Sequence, residues 1–401
     1  MPPDSDPRTS TRIRDFFDAV LPPGWVPNRT RDAEHVVRAL FELADIQIDG
    51  TRPGDIRIRD PRFYERLLRD ASIGLGESYM EDWWETEALD VMIEKIVRAD
   101  LKQKVTGSWR LRALTVKAAL VNLQSKGRAS AAVAAHYDIG NDLYTRMLDE
   151  RLNYSCGYWK AGATTLAEAQ EAKLELVCRK LGLEPGMRVL DIGCGWGGFA
   201  GWAAEKHGCT IVGVTLSREQ LALGRQKVRH LPVELRLCDY RDVTGTFDRI
   251  VSIGMMEHVG PKNHRDLMRV IERSLVSDGV ALVHTIGNNR SRRHGTPFIE
   301  KYVFPHAVAP SLAQLGRAIE GLFVAEDVHN LAADYVPTLL AWWANFDRTY
   351  AEIADRYDRR FYQMWKFYLL GAAGTSRARD AQLFQMVLTK PGRIQPACRM
   401  S

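Results

Sequence analysis

The sequence predicts an α/β protein: a doubly wound, mostly parallel sheet, preceded by a smaller mixed α/β unit. Two observations carry this. Apolar strand-like runs alternate with helical stretches from Arg188 to Ile286, the order that builds a parallel sheet with helices on both faces. The segment VLDIGCGWGG (189–198) ends an apolar run in an acid and follows it with four glycines and a helix-forming stretch. A strand, a glycine turn and a helix in that order let backbone approach a ligand closely.

The elements follow in sequence. From Ile13 to about residue 100 a first unit mixes helix with short strands. Residues 41–48 and 55–59 suggest a hairpin around Gly50 and Pro53-Gly54. GLGESYMEDWW (74–84) is rich in aromatics. Thr165-Leu166-Ala167-Glu168 is a capping-box signature that opens a helix through about Lys180. Strands are expected at 188–192, 210–215, 233–238, 249–253 and 280–286, with helices near 197–207, 217–230 and 264–276. Later strands are expected at 322–328 and 383–388.

Bulk properties bound the function. A chain of 401 residues has room for two domains. Its six cysteines are scattered without a C-x-x-C pair, which points to a reducing compartment and against a disulfide scaffold or a zinc site. The N-terminus, MPPDSDPRTSTR, lacks the apolar core of a secretion signal. No apolar run approaches the ~18 residues of a spanning helix. Membrane contact is therefore expected to be peripheral, at the inner face, and the protein cytoplasmic. Between Leu101 and Ser130 seven basic residues and no acid alternate with apolar positions. Such a stretch can lie on an anionic lipid surface, or serve as a solvated linker helix. Nucleic acid is not expected, because no base-reading motif accompanies the charge. A homodimer is admitted.

The glycine turn fits neither G-x-G-x-x-G nor a phosphate loop. Asp-x-Gly-x-Gly-x-Gly after a first strand has the shape of an S-adenosylmethionine (SAM) site. Gly193 and Gly195 admit the methionine part, and Asp191 lies near its amino group. After the second strand, where many nucleotide sites place a carboxylate, stand Thr215-Leu216-Ser217-Arg218-Glu219-Gln220. Thr215 and Gln220 can replace the carboxylate with neutral hydrogen bonds. After the third strand, Asp239-Tyr240 sits where an acid can meet the adenine amino group.

The chain resembles the bacterial cyclopropane-fatty-acyl-phospholipid synthases and their mycolic-acid relatives. The carrying segments are HYDIGNDLY (136–144), YSCGYW (154–159), VLDIGCGWGG (189–198), GMMEHVG (254–260), HTIG (284–287) and KYVFP (301–305). GLGESYMEDWW and the C-terminal YLLGAAGTSRARDAQLFQMVL extend the resemblance over nearly the whole chain. The residues read as a disordered tail at 1–12, a first domain at 13–100, a basic amphipathic linker at 101–130 and a second domain at 131–401. The resemblance makes the first of these domains lipid-engaging and the second a catalytic SAM-dependent methyltransferase domain. It implies SAM contacts at Tyr154, Ser155, Gly193, Gly195, Thr215, Leu216 and Gln220. It implies a bicarbonate pocket formed by Cys156, Glu257, His284, Ile286 and Tyr335, with membrane phospholipid bearing unsaturated acyl chains as substrate.

The same residues carry plainer readings. Cys156 can be a small buried hydrophobe, Glu257-His258 a helix cap, His284 a satisfied core histidine and Tyr335 packing. Tyr158, Trp159 and Tyr302 can shield a carbocation with their ring faces, while Trp342 and Trp343 suit core or an acyl tunnel. Two departures stand out. Tyr335 lies in Asp334-Tyr335-Val336-Pro337, where the family usually has a basic residue shortly after the tyrosine. The loop after His284 carries Arg290, Arg292 and Arg293. Both bear on acyl and head-group preference, and on whether the product is a ring or a methyl branch.

Overall fold

The computed structural model describes residues 29–100 and 140–399. The expected tail 1–12, the basic stretch 101–130 and His136–Ile139 of the first motif lie outside the described residues. Two units emerge: one of residues 29–100 with 358–374, the other of residues 140–357 with 375–399.

In the first unit, helix α1 (Arg29–Leu43) buries Ala33, Val36, Val37 and Phe41. That spacing is helical, with a period of 3.6 and not 2. The expected hairpin at 41–48 and 55–59 is therefore corrected: Phe41 belongs to the helix, and only a single bridge, Ile48 to Ile56, joins the two runs. Strand β1 (Arg57–Ile58) instead pairs with a strand beyond helix α2 (Arg62–Met80), namely β2 (Trp84–Glu85), antiparallel. Helix α3 (Leu89–Arg98) follows. The aromatic run thus ends one helix and forms a short strand. Trp84 is fully buried, its indole N–H donating to Ser78 Oγ at 2.9 Å.

Residues 358–374 fall in this unit although the sequence reading assigns them to 131–401. The cause is aromatic packing. Phe367 lies 5.8 Å from Tyr79 and 6.5 Å from Trp84, ring centre to ring centre. Gly374 is pressed so close that a Cβ there would meet the Asp90 carbonyl at 2.3 Å.

The second unit begins with α4 (Asn141–Met147) and α5 (Leu166–Leu181). Strand and helix then alternate: β3 (Arg188–Ile192), α6 (Gly198–His207), β4 (Thr210–Thr215), α7 (Arg218–Val228), β5 (Val233–Leu237) and β6 (Phe247–Ile253). After β6 come α8 (Met256–Val259), α9 (His264–Ser274) and β7 (Leu275–Asn288). Then follow α10 (Pro297–Tyr302), α11 (Leu312–Ile319), β8 (Val324–Asn330) and α12 (Ala332–Thr349); α13 (Arg359–Arg377), most of which belongs to the first unit, precedes β9 (Ala381–Thr389).

The seven strands are ordered β5-β4-β3-β6-β7-β9-β8. The first five are parallel; β9 inserts antiparallel between β7 and β8. Leu190 and Ile192 enter one core cluster and Val189 the other, so β3 is buried on both faces, as parallel strands flanked by helices require. The chain leaves β3 toward β4 on one side and β6 lies on the other. Ligands in such sheets bind at that switch point, outside the carboxyl ends of the strands.

The capping box is complete. Thr165 accepts from the Glu168 N–H, and the Glu168 carboxylate accepts from the Thr165 N–H at 3.0 Å. Thr165→Ala is expected to cost about 1 kcal/mol, read as a lowered urea midpoint with unchanged slope. An unchanged midpoint would refute the role of the cap.

Candidate active site

The glycine turn closes over β4. The N–H groups of Gly193 and Cys194 both donate to the Val214 carbonyl, at 2.9 and 3.0 Å. Gly193, Gly195 and Gly197 have φ of +80°, +54° and +81°, the left-handed region where only glycine is unstrained. A Cβ at Gly193 would sit 3.1 Å from Met255, whereas at Gly195 it would meet nothing within 4 Å. The turn therefore leaves open space beside bare backbone. Asp191, just before it, is 2% exposed. Burial raises its carboxyl to about 7, against the opposing pull of Lys173. A glycine cradle next to a buried acid fits the amino-acid end of SAM.

At the end of β4, Thr215 Oγ1 donates to Gln220 Oε1 at 3.1 Å and accepts the Ser217 N–H at 3.1 Å. Ser217 in turn caps α7. The edge is neutral, as the residue types imply, and Leu216 projects from it at 66% exposure. Asp239 accepts the Arg241 N–H at 2.9 Å and pairs with its guanidinium at 2.7 Å, which holds its carboxyl below the ordinary range. It caps the short turn that begins at Tyr240, itself buried.

The loop before α5 is built with care. Leu152 is left-handed at φ +57°, a conformation that persists only when neighbours hold it. Asp149 accepts the N–H and the amide of Asn153, both at 2.8 Å. Gln170 Nε2 donates to the Ser155 carbonyl at 2.7 Å, and Lys173 Nζ donates to Ser155 Oγ at 2.9 Å. Tyr154 and Ser155 are thereby fixed. Rings connect this loop to the rest of the site. Trp196 of the glycine turn lies 5.0 Å from Tyr144, Tyr144 lies 5.3 Å from Tyr154, and Tyr154 lies 5.0 Å from Trp342. Trp342 meets Tyr335 edge-on at 6.1 Å. The candidate cofactor contacts and Tyr335 are thus ends of one aromatic ladder.

Cys156 is fully buried, its Sγ 3.1 Å from its neighbour's carbonyl and 3.8 Å from that of Leu331. Burial pushes its thiol up, well away from a thiolate. Leu331 follows β8, and Tyr335 stands four residues later in the first turn of α12. On the other side, Glu257 Oε1 accepts the Ile286 N–H at 2.6 Å. His284, two residues back on β7, faces Gln385 across the β7–β9 register, with Gln385 Nε2 3.2 Å from His284 Nδ1. With the amide donating, the ring proton sits on Nε2.

The buried polar atoms left over are informative. Among the described residues eleven buried side-chain atoms have no hydrogen-bond partner, and Glu257 Oε2, His284 Nε2, Gln385 Oε1 and Trp342 Nε1 are four of them. Orphans of this kind are rare in native interiors and call for a ligand or water. Burial raises the Glu257 carboxyl to about 7 and drops His284 well below its ordinary value. A neutral ring N–H and a carboxyl that holds its proton near neutrality are donors, and donors suit a small oxyanion. Two open grooves, one lined by Asn141 and Arg356 and one by Arg241 and Arg273, hold none of these atoms.

The aromatics proposed as cation shields each pack on a neighbour. Tyr158 sits 6.1 Å from His329, Trp159 Nε1 donates to Thr338 Oγ1 at 2.9 Å, and Tyr302 packs 5.1 Å from Phe298. Asp334 accepts the N–H of Trp159 at 2.8 Å, so the acid before Tyr335 serves the 157–160 loop. Lys173, Gln170, Asp149 and Gln385 escaped the sequence reading. Their signal is present: Gln170 and Lys173 occupy the apolar stripe of α5, and Gln385 interrupts the apolar run of β9.

Residues 124–386 match the family model described as mycolic acid cyclopropane synthetase. The chain is 46% identical over 355 residues to the cyclopropane-fatty-acyl-phospholipid synthase of Escherichia coli strain K12, covering 88% of this chain and 93% of that protein. A probable fatty acid methyltransferase of Pseudomonas putida is 38% identical over 274 residues, 65% of this chain and 69% of that one. A solved mycolic acid cyclopropane synthase, CmaA1, complexed with SAH and CTAB, superposes with a TM-score of 0.60 at 33% identity, covering 66% of this chain and 99% of that chain. The glycine turn, the doubly wound sheet and these matches agree: the chain belongs to the mycolic acid cyclopropane synthetase family and is a SAM-dependent C-methyltransferase of the cyclopropane-fatty-acyl-phospholipid synthase type.

Proposed function

We propose that the protein transfers a methylene from SAM to the cis double bond of unsaturated acyl chains in membrane phospholipid, forming a cyclopropane, with bound bicarbonate as base. The observation that carries the reading is the pair of orphaned buried atoms, Glu257 Oε2 and His284 Nε2, in a chain so similar to a protein named for that product. SAM supplies an electrophilic methyl. An alkene is a weak nucleophile and reacts only when held in line with it. Its attack leaves a carbocation beside the new methyl, and closure of the ring requires that methyl to lose a proton. A side-chain carboxylate touching the cation would trap it, whereas a small anion can take the proton and leave.

Bicarbonate would be held by Glu257, His284 and the Ile286 strand edge, with Cys156 and Tyr335 closing the pocket. Cys156 contributes shape and a weak S–H, not a nucleophile. Aromatic rings and exclusion of water protect the cation. Mass spectrometry of lipids from cells expressing the chain tests the product. A cyclopropane adds CH2 to an unsaturated chain and survives hydrogenation. A methyl-branched chain, or an N-methylated amine, would displace the reading in favour of another methylation on the same frame.

Phospholipid reaches the site from a membrane, so the protein is proposed to dock peripherally on an anionic inner surface, as a monomer or a homodimer. Among the described residues no helix is long and apolar enough to cross a membrane. Replacing Lys102, Lys104, Arg110 and Arg112 with Glu is expected to weaken binding to phosphatidylglycerol vesicles severalfold, more at low salt where screening is weak. Cosedimentation equal to the parent's would leave those residues as linker only.

A further inference from the structure

We propose that Lys173 is a positioning residue for the methyl donor: it turns the Ser155 hydroxyl so that its proton points at the carboxylate of SAM. The inference rests on reading Ser155 as a cofactor contact. Lys173 lies on α5, 1% exposed, a costly place for an ammonium. It makes no ion pair among the described residues. Its Nζ reaches Ser155 Oγ at 2.9 Å and Asn153 Oδ1 at 3.5 Å, and acids act on it only through space, Asp149 before Asp191. A residue needed only to fill volume here would be apolar.

The chemistry follows from the donor inventory. An ammonium has three donors and no acceptor. Ser155 Oγ must therefore accept from it, and the single hydroxyl proton is left to be donated elsewhere. The Ser155 carbonyl is already taken by Gln170, and Tyr154 on one side belongs to the aromatic ladder that starts at the glycine turn. A hydroxyl polarised by a cation is a strong donor to an anion. Burial lowers Lys173 to about 8, so it remains an ammonium at neutral pH. Its charge also favours a carboxylate over a neutral group.

The test is a double-variant cycle on the full chain, read by calorimetric titration with SAM and by steady-state kinetics. Lys173→Met keeps the stem and is expected to weaken SAM binding about tenfold or more. Ser155→Ala is expected to do the same, and the double variant to lose little more than either, because both remove one interaction. KM for SAM rises and kcat at saturation falls less than about twofold. Methylthioadenosine, which lacks the amino-acid part, should bind Lys173→Met and the parent equally. If the Met variant does not fold, Lys173→Gln, which keeps a neutral N–H, enters the same cycle with a smaller loss. Unchanged SAM affinity, full additivity, or an equal loss for methylthioadenosine would overturn the proposal while Ser155→Ala remains defective. Intact SAM affinity in Ser155→Ala would instead remove Ser155 as a cofactor contact, and Lys173 with it.

Discussion

Glu257→Ala is expected to abolish lipid product, lowering kcat by at least about 10²-fold, while SAM binds as before. The expectation comes from where the two carboxylate oxygens go. Oε1 is spent on the Ile286 N–H at 2.6 Å. Oε2 is buried with no partner among the described residues. The side chain therefore spans the strand edge and the proposed anion site, and alanine removes both ends at once. On the proposed reading SAM is held at the glycine turn and the 153–155 loop, on other elements, so its binding should survive. Alanine also strands the Ile286 N–H, at a cost of about 1–3 kcal/mol in stability, so the variant must be checked for folding by its melting curve. Glu257→Gln separates the two effects. It can still accept from Ile286 and donate into the pocket, and it should keep more activity than alanine at near-parental stability. Full activity in folded Glu257→Ala would remove the glutamate from the chemistry, and weakened calorimetric SAM binding would show that the two sites are not independent.

Much of the catalytic unit was legible because its signals are local. Strand β3 at 188–192 and β4 at 210–215 match the expected limits, since apolar runs bounded by Gly and polar residues specify buried strands. The capping box and the glycine turn are likewise readable over a few residues. What failed was long-range. The run 41–48 contains a good strand composition, but its first three residues close α1, with Phe41 on the buried stripe of that helix. Nothing in the sequence of 358–374 announces that its aromatics pack against Tyr79 and Trp84 of the first unit. The antiparallel insertion of β9 between β7 and β8 is a tertiary choice, and it alone brings Gln385 opposite His284. Lys173 and Gln170 were visible as polar residues on an apolar helical stripe, yet their partners on the 153–155 loop are not deducible from spacing.

Asp191→Asn is expected to move affinity and stability in opposite directions. The folded carboxyl titrates near 7, against 3.8 for an ordinary aspartate, because burial disfavours the charge. The folded protein therefore holds this proton more tightly than the unfolded chain. Its contribution to stability is whole below about pH 4 and drains away as pH rises through 7. At pH 8 the cofactor-free protein carries a buried carboxylate with only Lys173 to offset it. Asparagine carries none, and the variant should be more stable there by about 2–4 kcal/mol. Loss of Asp191 also removes one support for the Lys173 proton, but Asp149 supports it more strongly, so the gain is reduced and not reversed. Cofactor binding runs the other way. On the reading that Asp191 meets the amino group of SAM, the ionised form is the binding form. Parental affinity should climb with pH toward about 7 and fall again as Lys173, which burial lowers to about 8, loses its proton. Asparagine should bind SAM about 10²-fold more weakly, with that climb gone. Chemical denaturation at pH 5 and pH 8, with SAM titrations at the same two values, reads both effects. A variant that loses stability and affinity together would make Asp191 a structural acid, and pH-independent SAM binding by the parent would remove it from the cofactor's amino group. The strain of a buried acid is tolerable only where a ligand cation relieves it, which is why the sign of the stability change, more than its size, decides the role of this residue.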